Sequence, residues 1–346
     1  MAALAAAVAA VGASASAASS GHARAHTSKM KFSTVAIATP AKTDDYGWNA
    51  QGVAGLKAAA KKYGVKVKIY ANLGYNNTPA LLRRIATASP KPGLVVAHAS
   101  GFDTAAQQVA RQTGVPEVTY DIPTMLSKGT LTNITTSAQQ GGYLAGVLAA
   151  HKTKTNKVGV IISAADANWY EMTGGFAAGV RSVNPKIKVE FGQIGPASYD
   201  DSAGGKRVAT SVIATGADVV FAMGDDASFG YLQAISTAKA GHKVWYIGDI
   251  GNMAPIDNKH VLLSSVLWNF KNAYETFFSQ LQKGTFGTKG YNLTLANGGI
   301  SLLRTRYIPS SVWKDITKAT RGIESGKIKV PDTTTAAKTQ AVLKKA

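Results

Sequence analysis

The chain has no cysteine. That absence excludes disulfides, thiolate nucleophiles, cysteine zinc sites and a lipid-modified N-terminal cysteine. Histidine is sparse, with six residues, no H-E-x-x-H and no pair at metal spacing, so no metal centre is expected. No G-x-S-x-G, P-loop or G-x-G-x-x-G opens a helix, which leaves hydrolysis by a serine nucleophile and nucleotide cofactors without support. No cofactor is expected. Acidic residues are also few, 19 against 38 Lys and Arg, for a net charge of +19. The basic residues are spread over KKYGVKVK, KTKTNK and the terminal KKA. Nucleic-acid binding needs them clustered on one element beside aromatics, so no nucleic-acid partner is expected. Attraction to an anionic cell surface stays open.

Residues 1–20 are nearly all Ala, Val, Gly and Ser, and ASASAAS resembles an A-x-A cleavage site. Residues 1–30 are therefore read as a signal peptide and polar leader. The mature protein is expected to be exported, periplasmic or extracellular, soluble and monomeric, and not a lipoprotein. No later run is long and apolar enough to span a bilayer.

What the chain does contain is itself twice. Residues 33–70 and 156–191 each read as a strand, a loop, a Trp, a Gly/Ala-rich helix and a second strand. A second pair echoes the first: LVVAHASGFDTAAQQVARQTGVPEVTYDI against DVVFAMGDDASFGYLQAISTAKAGHKVWYIGDI. TVAIAT, GLVVAHAS, KVGVIIS and DVVFAM are apolar throughout, as strands buried on both faces should be. Strands alternating with helices over short connections predict an α/β protein of two doubly wound parallel-sheet lobes joined by a multi-strand hinge. Length suits two such lobes. Lobe 1 is assigned residues 31–134 and 250–265, and lobe 2 residues 135–249 and 266–331. VLLSSVL, from Val261, is read as returning to lobe 1, with crossings near 132–136, near Ile250 and near Ser265. Residues 332–346 are Lys-rich and read as a frayed tail.

Two lobes imply a cleft, and ligands of α/β sheets bind at the carboxyl ends of strands. Asp45 stands there, where it can serve as an N-cap, as a ligand acceptor or as both. Trp48 is either core or a flat stacking face, and Asn49 has donors and acceptors for the edge of a heterocycle.

The run D-x-x-W-N-x-x-x-x-x-G-L, residues 45–56, resembles the D-x-x-F-N-x-x-x-x-x-G-L opening of the basic membrane protein family. These are substrate-binding proteins of ABC importers, related to purine nucleoside receptors. Residues 142–150, GYLAGVLAA, resemble that family's Y-L-A-G-x-x-A-A helix. Lys157-Val158-Gly159, Gly175-Phe176 with Gly179, Val183-Asn184-Pro185, Gly216-Ala217-Asp218, Ser265 and GKIKVP at 326–331 follow its order. The resemblance implies a type I periplasmic-binding fold that closes on a purine base or nucleoside and delivers it to ABC permease subunits in the membrane. Its implied ligand site comprises Asp45, Trp48, Asn49, Asp103, Trp169, Gly224, Asp225 and Asp249, with the aromatics sandwiching the base.

One departure concerns Trp268. The family often has S-x-x-K after the returning strand, with the Lys reaching sugar hydroxyls; here the run is Ser265-Val266-Leu267-Trp268. An indole cannot replace an ammonium donor, and it fills volume. A free base or another small planar heterocycle is expected for that reason, unless Trp268 only packs the hinge. Catalysis by Asp225 with Asp226, or Asp44 with Asp45, is not expected, because adjacent carboxylates on a loop point different ways. The other readings are a sugar binder and a ligand-sensing receptor of the same fold.

Overall fold

The computed structural model describes residues 30–345. The expected signal segment, apart from Met30, lies outside them. The first lobe opens with β1 (Thr34–Ala38), α1 (Trp48–Tyr63), β2 (Lys66–Tyr70), α2 (Thr78–Ala86), β3 (Val95–Ala97), α3 (Asp103–Thr113), β4 (Glu117–Tyr120) and β5 (Leu131–Thr136). β1 is buried at all five residues, because helices cover both faces of its sheet. β2 is the edge and sets Lys66 and Lys68 at it, which discourages a further strand from pairing. α1 stops at Gly64, whose φ of 65° is the left-handed cap that ends a helix cheaply only in glycine.

The chain then crosses over. α4 (Ala138–Lys152), β6 (Lys157–Ile162), α5 (Ala167–Val183), β7 (Lys188–Gln193), α6 (Ser202–Ala214), β8 (Val219–Met223), α7 (Ala227–Ser236), β9 (Trp245–Gly248) and β10 (Leu262–Trp268) build the second lobe. α8 (Lys271–Lys283) and β11 (Tyr291–Leu293) return to the first lobe: β11 pairs with β5, and Tyr63 of α1 donates to the Glu275 carbonyl of α8. β12 (Ile300–Leu302), α9 (Ser310–Glu324) and α10 (Ala336–Leu343) finish on the second. The two sheets have one strand order, β11-β5-β4-β3-β1-β2 and β12-β10-β9-β8-β6-β7.

Two expectations are corrected. Residues 250–265 do not join lobe 1, since β10 pairs with β9 in the second sheet. The loop between them is a short connection within one lobe, turned by Asp257, whose carboxylate accepts from the backbone of Val261 and Leu262 at 3.0 and 2.7 Å. The chain passes between sheets after β5, after β10 and between β11 and β12, so the second and third passages lie beyond Trp268 rather than near Ile250 and Ser265. The frayed tail is a helix. α10 docks on α5, with the Thr333 and Thr339 hydroxyls both donating to the Tyr170 carbonyl and Arg181 donating to the Val342 carbonyl.

Within the second lobe α4 and α5 lie against one another at glycines. A Cβ on Gly142 or Gly146 would fall 2.1 Å from the carbonyl oxygen of Met172 or Phe176, and one on Gly175 or Gly179 equally close to that of Gln139 or Tyr143. The GYLAG and GGFAAG runs therefore hold a backbone-to-backbone contact that any side chain would wedge open.

Candidate functional site

Carboxyl ends of strands from both sheets meet around a cavity of about 670 Å³. Its aromatic lining is Trp48, Tyr75, Trp169, Tyr199 and Trp268, and its acidic lining is Asp121, Asp166, Asp200, Asp201, Asp225 and Asp249. Asn49 and Asn168 add amides. No Lys, Arg or His is among the lining residues.

Trp48 is the first residue of α1. His98 supports it from behind, with the rings stacked at 5.2 Å and 18°. His98 Nε2 lies 2.9 Å from the Trp48 carbonyl, which only accepts, so Nε2 carries the proton. Nδ1 then accepts from the Tyr120 hydroxyl at 2.5 Å, and Tyr274 bonds Tyr120 at 3.0 Å. Full burial holds the His98 ring neutral, its pKa lowered to about 4. Gly52 makes room for it, because a Cβ there would fall 2.1 Å from Nε2.

Asp45 lies beneath the wall rather than in it. Its carboxylate accepts from the backbone of Gly47, Asn49 and Ala50 and from Asn49 Nδ2, all at 2.9–3.0 Å. It thus caps α1 and aims Asn49, whose Oδ1 is left buried without a partner. Of the two roles open for Asp45, the geometry gives the cap.

Asp249 organises the opposite wall. Its Oδ2 accepts from Trp169 Nε1 at 2.9 Å, and its backbone carbonyl accepts from Trp268 Nε1 at 2.6 Å. Among the described residues Asp249 Oδ1 has no partner, although the residue is 1% exposed. Burial, then the charge of Asp225, push its carboxyl well above the usual range. Asp225 is pushed up in the same way, by burial and then by Asp200, Asp45 and Asp166. Gly224 does not line the cavity; it backs the loop. Asp103 is buried away from the lining, accepting from the Tyr120 backbone at 2.9 Å, with its pKa raised to about 8 chiefly by burial. Six of the nine residues expected at the site therefore meet in the cavity, while Asp45, Asp103 and Gly224 stand behind it.

Asp121, Asp166, Asn168, Tyr199 and Asp200 join the site without having been expected there. The repeat contains the signal for two of them. Asp166-x-x-Trp169 copies Asp45-x-x-Trp48, and Asp121 ends PEVTYD as Asp249 ends KVWYIGD. Asp166 Oδ1 caps α5 through the Asn168 backbone at 2.9 Å, as Asp45 caps α1. Burial, then Asp166, raises Asp121 to about 7.

The lobes touch across the cleft. Asn168 of lobe 2 donates to Asp121 of lobe 1 at 3.0 Å, and Thr136 donates back to Asn168 at 2.7 Å. Gln51 of α1 reaches over to lobe 2, accepting from the Trp268 backbone at 2.7 Å and donating to the Ile250 carbonyl. The arrangement can enclose a small solute with flat faces and several hydrogen-bond donors.

Residues 32–334 match the family described as ABC transporter substrate-binding protein PnrA-like. The chain is 26% identical over 277 residues to the transcriptional activator protein Med of Bacillus subtilis, covering 79% of this chain and 83% of that one. It is 30% identical over 214 residues to the ABC transporter nucleoside-binding protein BmpA of Lactococcus lactis, covering 58% and 60% respectively. Among solved structures, an ABC-transporter solute-binding protein of Conexibacter woesei superposes with a TM-score of 0.72 at 23% identity, over 87% of this chain and 99% of that one. This likeness is one of fold.

Proposed function

The chain belongs to the PnrA-like substrate-binding proteins of ABC transporters, and from that premise we propose that its cleft captures a purine base or nucleoside outside the cytoplasm and delivers it to a permease. The family is one of solute-binding proteins, not catalysts. One observation carries the purine reading: aromatic walls from both lobes enclose a cavity whose polar lining is carboxylates and amides, with no basic side chain. Ring faces suit a heterocycle, and stacking adds about 1 kcal/mol beyond burial of area. Acceptors suit amino, imino and hydroxyl groups at its edge. A phosphate would be repelled, so nucleotides are excluded as ligands. The Lactococcus relative, described as nucleoside-binding, supports the same class.

Trp268 stands in the wall, 5.8 Å from Trp48 ring to ring, and there it takes space that a longer flexible side chain would leave to a sugar. The cavity volume lies within the range that buries drug-sized ligands, so size alone does not restrict the ligand to a base. Capture proceeds by closure: the ligand enters the open cleft, and the Asn168–Asp121 and Gln51–Trp268 bonds form as the lobes meet.

Calorimetric titration of protein freed of carried-over ligand with adenine, guanine, hypoxanthine, xanthine and their ribosides tests this. Micromolar or tighter binding of a base, with its riboside weaker, supports the role given to Trp268. A tighter riboside returns the site to nucleosides. No heat from the whole panel overturns the purine reading.

A further inference from the structure

Six of the chain's 19 acidic residues line one cavity, in a protein whose net charge is +19. Four of the six carboxylates have work inside the protein. Asp166 caps α5, and Asp201 caps α6 through the Gly204 backbone at 2.8 Å. Asp121 holds Asn168, and Asp200 accepts from the Asp226 backbone. The other two are differently placed. The carboxylate of half-buried Asp225 accepts no hydrogen bond among the described residues, and Asp249 Oδ1 is buried without a partner among them. Asn49 Oδ1, from the facing lobe, is a second buried acceptor without a donor among the described residues.

A buried acceptor with no donor costs roughly 1–3 kcal/mol, and more when it is charged. Two carboxylates lining one cavity, with no basic side chain among its described lining residues, cost more still. A neutral solute would satisfy hydrogen bonds here and leave that repulsion in place. A cation would remove both costs, and the indoles of Trp48, Trp169 and Trp268 would supply the ring faces that attract positive charge.

We propose that the ligand carries a positive charge, an organic cation with N–H donors seated against Asp225 and Asp249 and walled by the tryptophans. This rests on the reading of the cavity as the solute site, and it narrows the solute by charge rather than by ring system. Within the purines it selects a ring made cationic by alkylation or protonation, or one bearing an amine.

The test is calorimetry at neutral pH with three probes: 1-methyladenosine, which is cationic; N6-methyladenosine, a neutral isomer; and agmatine, a cation with no purine. The expected result is at least tenfold tighter binding of 1-methyladenosine than of its isomer, a preference that weakens with added salt and is largely erased in Asp225→Asn. Equal or tighter binding of the neutral isomer overturns the inference and leaves the purine reading standing. Binding of agmatine with both nucleosides silent supports the charge and overturns the purine reading. Silence from all three overturns both.

Discussion

His98 is fully buried between Trp48, Tyr120 and Phe270 and is held neutral. Its pKa falls from 6.5 to about 4 on folding, chiefly because burial penalises the imidazolium. The unfolded chain therefore takes a proton below pH 6.5 that the native ring refuses until about pH 4. The stabilisation is complete above pH 6.5 and is lost as the pH falls through that window. A tenfold change in proton affinity corresponds to about 1.4 kcal/mol, so about 3 kcal/mol is lost between pH 6.5 and pH 4. The raised carboxylates run the other way. Asp103, near 8, and Asp121, near 7, favour the fold at low pH and lose that contribution as the pH rises through those values. Wild type alone would mix the two trends, so the measurement is a difference. His98→Phe keeps the ring volume but strands the Trp48 carbonyl and leaves the Tyr120 hydroxyl with Tyr274 as its one partner, costing a few kcal/mol at about pH 7.5. In urea unfolding at half-unit pH intervals, the gap between wild type and His98→Phe should narrow by about 3 kcal/mol from about pH 7 to pH 4. Parallel stability curves would refute the neutral, buried histidine.

Gly175→Val should lower the thermal midpoint by more than about 10 °C or abolish folding, because its side chain must displace the Gln139 carbonyl; an unchanged midpoint in a thermal scan would contradict the α4–α5 contact. Gln51→Ala removes a clasp between the lobes without touching the orphan acceptors. Ligand affinity should drop about tenfold, with a larger radius of gyration by small-angle scattering in the absence of ligand. Deleting residues 333–346 exposes α5 and leaves the Tyr170 carbonyl without its Thr donors. A loss of roughly 2–4 kcal/mol in urea unfolding is expected, whereas a frayed tail would cost nothing.

The duplication makes the fold legible. Each copy of strand, loop, Trp and helix predicts a βαβ unit, and two copies predict two sheets of one strand order. VLLSSVL goes to the wrong lobe because an apolar run says that a strand is buried, not which neighbour buries it. The tail reads as frayed because Lys338, Lys344 and Lys345 are exposed while only Thr333, Thr339 and Leu343 are buried, a pattern too short to show a period. At the site, the strand ends locate the tryptophans. They cannot say which way a carboxylate turns, so Asp45 and Asp103 pass for lining until the fold is seen. Asp121 and Asp166 stand at positions that their partners in the repeat already mark.

The lobes repeat D-x-x-W and the aspartate that ends the fourth strand of each sheet, so a solute in the cleft meets an indole from either side. The acids are divided unequally: Asp121 alone comes from the first lobe, and Asp166, Asp200, Asp201, Asp225 and Asp249 come from the second, so the two walls differ. The residues that tell them apart are those without a twin. Thr136 and Trp268 end the corresponding strands β5 and β10, and Asn49 follows Trp48 where Tyr170 follows Trp169. A cargo with its hydrogen-bond donors at one end would therefore turn that end toward the second lobe.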